Sequence, residues 1–104
     1  NKNNPKAKDV DIIIKISKDK KATAKNDAGK IVEYKINLYT QIIIKDYITN
    51  LENLNQNFIS YASYKVQDQY SETVKLENKT IENLLDKTYQ DILLKMSENI
   101  LSKW

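Results

Sequence analysis

Few residues in this chain could do chemistry. Its 104 residues include no histidine and no cysteine. The commonest general base is therefore missing, along with the thiol nucleophile, the disulfide and the ligands from which most zinc sites are built. Ser60 and Ser63 lie in the run Ile59-Ser60-Tyr61-Ala62-Ser63-Tyr64, which lacks the glycines of a nucleophile elbow. The one glycine, Gly29, cannot form a phosphate-cradling loop. The carboxylate pairs Glu77 with Glu82 and Asp86 with Asp91 are explained by a solvated helix face. No catalytic residue, metal site or cofactor is expected, and the chain reads as a binding or assembly module rather than an enzyme.

What remains is charge. All 17 basic residues are lysine, so anion contacts must use point charges rather than the bidentate fork of arginine. Residues 1–45 carry eleven lysines against five acids, and residues 46–104 carry six against nine. Lys15, Lys18, Lys20, Lys21, Lys25 and Lys30 are set against only Asp19 and Asp27. At a hairpin tip, such an excess concentrates positive potential where an anionic partner can approach. The plainer reading is a solubilising stretch that blunts a sheet edge. Nucleic acid is not expected as a partner. Sheet-based readers set aromatics beside their basic residues, and the lysine-rich stretch contains none.

The elements that must position these groups follow from periodicity. Residues 1–8 are polar, hold the only proline and read as a flexible lead-in. Val10, Ile12, Ile14 and Ile16 alternate as one face of a first strand, and residues 18–30 read as a polar stretch ending in the turn Asn26-Asp27-Ala28-Gly29. Val32, Tyr34, Ile36, Leu38, Thr40, Ile42 and Ile44 then alternate as a long half-buried strand. A polar loop is expected over residues 49–57 and a third strand over 57–67. From about Ser71, Ile81, Leu84, Leu85, Thr88, Tyr89, Ile92, Met96, Ile100 and Trp104 recur at three and four. Glu82, Lys87, Asp91, Lys95 and Glu98 should take the other side of this amphipathic helix of about thirty residues. The expected fold is α+β: an antiparallel three-stranded sheet, β-β-β-α, packed by one long C-terminal amphipathic helix, as a single domain over 1–104. Tyr39 and Ile43, with Ile13 and Ile31, interrupt the polar face of the sheet, so the second face is expected to be covered by a partner or a missing element.

Three ordered segments, KNDAGKIVEYKINLYTQIII, ISYASYKVQDQYSETV and LENKTIENLLDKTYQDILLKMSENI, resemble the LPS-assembly lipoproteins of the LptE family. Residues 63–70, S-Y-K-V-Q-D-Q-Y, match a stretch that enters the last helix in its divergent branches, and the likeness spans roughly residues 9–102. The resemblance implies a non-catalytic factor, lipid-anchored at the periplasmic face of the outer membrane. It implies an LptD-like outer-membrane barrel and lipopolysaccharide as partners, with Lys18, Lys20, Lys21 and Lys25 facing lipid phosphates. Lys25 matches the family's basic position before the turn, with lysine in place of arginine. The family's second basic position falls near Glu77, an acid, with Lys75 and Lys79 only nearby. The acylated cysteine, first strand and first helix of the family have no counterpart here, so the chain is expected to be a trimmed C-terminal part. Two other readings stand beside this one: a basic nucleic-acid-binding module, and a structural subunit that completes its sheet with another chain, including by self-association.

Overall fold

The strands of this protein are long because two turns of the same design place them. The computed structural model describes residues 9–103, with side chains through Asn99. The expected lead-in over residues 1–8, the side chain of Ile100, and Trp104 lie outside the described residues. Strand β1 spans Val10–Lys25, β2 Ile31–Asp46 and β3 Glu52–Lys65, and helix α1 spans Tyr70–Lys103. At the first turn the Asn26 side-chain oxygen accepts from the N–H groups of Ala28 and Lys30, both at 3.0 Å, and Gly29 takes a positive φ of 81°. At the second, the Asp46 carboxylate accepts from the N–H groups of Ile48 and Thr49, both at 2.9 Å. Asn50 supplies the positive φ there, at 61°. Both are side-chain-headed reversals closed by a residue tolerant of the left-handed region.

The result is an antiparallel sheet of order β1-β2-β3 with α1 on one face: the α+β architecture expected from the periodicities. Two boundaries differ. The polar residues from Lys18 onward are strand, not loop, because the Asn26–Gly29 reversal holds them against the strongly alternating β2, with Lys18 opposite Leu38 and Lys20 opposite Ile36. Residues 52–56 are also strand, opposite Ile42 to Lys45, although their Asn and Gln disfavour it. In both cases pairing with a neighbouring strand overrides local composition.

Even-numbered strand residues face the helix. Ile36, Leu38, Tyr64 and Leu84 form one buried cluster, joined by Tyr34, Ala62, Leu76 and Ile81. Ile42, Ile44 and Ile92 form a second, joined by Leu54, Phe58 and Met96. Between them lie Thr40, Ser60 and Thr88, all at most 2% exposed, whose hydroxyls have no hydrogen-bond partner. The helix turns inward along the column Thr80, Leu84, Thr88 and Ile92. This is narrower than the expected stripe. Leu85 and Tyr89 point out, at 45% and 56% exposure, while Asp91 and Lys95, expected outside, are half-buried. Short threonines on the inner column let the helix sit close to the sheet, and this selects one narrow face from the wider apolar arc. The molecule is a rod of 65 × 22 × 19 Å, with a radius of gyration of 19.3 Å against about 13 Å for a compact chain of this length.

Candidate binding surface

Helix α1 packs on β3 and β2, and no part of its backbone approaches β1. On the helix side of the sheet, β1 therefore presents Val10, Ile12, Ile14 and Ile16 in a row, between 37% and 46% exposed. The reverse face has no element over it among the described residues. There, cross-strand pairing aligns Ser17, Tyr39 and Ile59 along a depression of about 500 Å3. Asp19 organises this face: its carboxylate accepts from the Asn37 amide at 2.9 Å and the Tyr39 hydroxyl at 3.3 Å, with the Lys21 ammonium at 3.8 Å.

The four lysines expected at a hairpin tip are instead distributed along β1. Lys18 to Lys25 spans seven residue steps of strand, about 24 Å at the rise of an extended chain. Lys18 and Lys20 lie on the helix side and Lys21 on the reverse face. Lys25 follows two register irregularities at Ala22 to Lys25. They form a line along the edge rather than one compact patch, because the turn takes only the residues after Lys25.

Lys20 is the member with a defined structural task. Its ammonium lies 2.6 Å from the Glu77 carboxylate and 4.4 Å from the centre of the Tyr34 ring. The Tyr64 hydroxyl donates to the same carboxylate at 2.5 Å, and the Tyr34 and Tyr64 rings stack at 5.8 Å. Hydrogen bonds to Glu77 and then Tyr64 hold the Lys20 ammonium well above its ordinary range. Hydrogen bonds from Lys20 and then Tyr64 hold the Glu77 carboxyl below its usual value, and burial, followed by the Glu77 contact, raises the Tyr64 phenol. The cluster is thus a neutral clamp from the edge strand to the helix, with lysine and glutamate charged and tyrosine protonated. Beside it runs a groove of about 470 Å3, walled by Ile31, Tyr64, Val66 and Val74 with Lys30 at its lining. The acid at position 77 has a partner in the fold: Lys20 reaches over from β1 to meet it.

A second arrangement is invisible in the local sequence pattern. The sheet brings Tyr39 and Tyr61, 38% and 61% exposed, onto the same face as Lys15, Lys21 and Lys35. The Lys35 ammonium lies 4.3 Å from the centre of the Tyr61 ring. Aromatics far from the lysine-rich stretch in sequence are its neighbours across strands. Their odd numbering, in phase with Lys15 and Lys21 once the register is known, is the signal that finds them.

Among the described residues no group of acidic, histidine or cysteine side chains could hold a metal ion, and no helix is long and apolar enough to cross a membrane. No protein-family model matches the chain, and no characterised protein sequence matches it.

Proposed function

We propose that this chain is a non-catalytic assembly module of the LptE kind, which docks on an LptD-like outer-membrane barrel and engages lipopolysaccharide at the periplasmic face of that membrane. The observation that carries this reading is the incomplete cover of the sheet: one helix over two of three strands, with an isoleucine row left on β1 and lysines continuing along the same strand. Apolar rows bordered by cations suit an amphiphile whose phosphates sit above its acyl chains. Lys18 and Lys25 would meet the phosphates, and Lys21, on the reverse face and 3.8 Å from Asp19, adds to the positive potential of the strand; they act together because single exposed charges contribute little. Lys20 is already neutralised by Glu77. The absence of histidine and cysteine supports a role without catalysis. The test is lipopolysaccharide binding by the chain and by a Lys18→Ser, Lys21→Ser, Lys25→Ser variant that keeps Lys20. The expected result is binding that falls several-fold in the variant. Undiminished binding would remove the head-group role, and no binding by the unmodified chain would remove the lipopolysaccharide reading altogether.

A second reading has its own observation. Tyr39, Tyr61 and Lys35 on the reverse face combine stacking platforms with cations, as single-stranded nucleic acid requires. Binding to oligonucleotides that falls steeply with salt and is lost in a Tyr39→Ala, Tyr61→Ala variant would favour it. Binding that depends on acyl chains would favour the lipid reading.

A further inference from the structure

Edge strands are normally guarded against pairing by lysines, bulges and turns. In β1 the guards are unevenly placed. Lys18, Lys20, Lys21 and the irregularities between Ala22 and Lys25 all fall in its second half. The first half, Val10-Asp11-Ile12-Ile13-Ile14-Lys15-Ile16, holds one acid and one base. Neither Asp11 nor Lys15 is ion-paired among the described residues. The direction of its backbone groups is fixed. The Asp9 carbonyl accepts from the Tyr47 N–H at 3.1 Å. Odd-numbered residues in this half therefore bond to β2, and the even-numbered Val10, Ile12, Ile14 and Ile16 direct their N–H and C=O groups to the open edge.

The segment is complementary to itself in reverse. An antiparallel copy centred on Ile13 places Ile12 opposite Ile14 and Val10 opposite Ile16, each twice by symmetry. These are the residues with outward backbone groups, so they form the hydrogen-bonded pairs. On the reverse face, Ile13 meets Ile13, and Asp11 meets Lys15 on both sides of the axis. The acid–base pairs fall at the non-hydrogen-bonded positions, where side chains approach most closely. Ser17 would meet Asp9, so pairing ends just before the lysine-guarded half.

We propose that β1 pairs with β1 of a second copy of this chain, over Val10 to Ile16 in the register centred on Ile13, forming a six-stranded sheet with both helices on one face. The exposed aliphatic row of each copy then lies against the other's. This pairing uses the same β1 aliphatic row as the lipid reading, so the two compete for that surface, while the lysines of the lipid reading lie beyond the paired segment. Seven residues of edge make a small interface beside the roughly 1,600 Å2 of a standard complex, so the dimer is expected to exchange with monomer in the micromolar range.

The test uses reciprocal charge changes. Light scattering after gel filtration, or sedimentation equilibrium, is run from low micromolar to about 1 mM. The expected mass rises from 12.1 kDa towards twice that value. Asp11→Lys alone and Lys15→Asp alone each create two like-charge pairs and should weaken self-association at least about tenfold. An equimolar mixture of these two variants has opposite charges at both positions, and should dimerise as well as the unmodified chain. Rescue in the mixture also shows that both variants are folded. A mass of 12.1 kDa at every concentration overturns the proposal and leaves the edge to a strand of another protein. Dimers that tolerate either single change, or variants that fail to rescue one another while circular dichroism shows both folded, overturn it as well.

Discussion

Replacing Thr88 by valine should make this protein more stable. The Thr88 side chain is 1% exposed and its hydroxyl has no partner. An unpaired buried hydroxyl costs about 1–3 kcal/mol of lost hydration, and valine keeps nearly the same shape without that penalty. Intrinsic helix preference does not separate the two residues. The expected gain is therefore about 1 kcal/mol, which raises the melting temperature of a domain of this size by about 4–8 °C. The same helix supplies the control. Thr80 is also buried, at 8% exposure, but its hydroxyl donates to the Leu76 carbonyl at 2.8 Å. Thr80→Val loses that bond and should be neutral or destabilising. Urea and thermal unfolding of the two variants, monitored by circular dichroism, give the comparison. If Thr88→Val lowers stability by as much as Thr80→Val, or by more, the hydroxyl at 88 is satisfied and the account of the core's polar middle fails.

The clamp predicts a pH profile. The Glu77 carboxyl titrates below its ordinary value of 4.5 in the folded chain, so its stabilisation is present above that pH and is lost as pH falls through the depressed value. The Tyr64 phenol titrates above its ordinary value of 10.0, so stability also declines as pH rises beyond about that point. Glu77→Gln should flatten the acid limb of a stability–pH curve measured by urea titration, and an unchanged limb would count against the clamp. At the first turn, Gly29 has open space around it but a φ of 81°. Gly29→Ala should cost about 1–2 kcal/mol through backbone strain alone. A larger loss in urea midpoint would mean that the added methyl meets a neighbour after all.

Much of this fold is legible in the residues themselves. The alternation from Val32 to Ile44 marks the central strand because its neighbours pair along both edges while the helix covers one face, leaving Ile36, Leu38 and Ile42 at 2% exposure or less. The switch to spacings of three and four after Ser71 marks the helix. What local pattern does not give is anything decided by a neighbour across space. Lys18 to Lys25 and Glu52 to Gln56 are strand because β2 pairs with them. Leu85 and Tyr89 share the helical repeat of the core, yet they turn outward because two small threonines set the depth at which the helix seats. The site suffers more than the fold. Lys20 counts as one lysine among many until the sheet brings Glu77 to it, and Tyr39 and Tyr61 become companions of Lys35 only through the register.

The sheet acquires its lid late. On the ribosome, β1, β2 and β3 are complete before any of the 34 residues of α1 has been made, and at ~5–20 residues per second that interval is about 2–7 seconds. A sheet formed within that interval has Ile36, Leu38, Ile42 and Ile44, the residues the helix later buries, open to water. A nascent chain of this design therefore depends on something to shield that surface, whether a chaperone or simple dilution, until its own helix arrives.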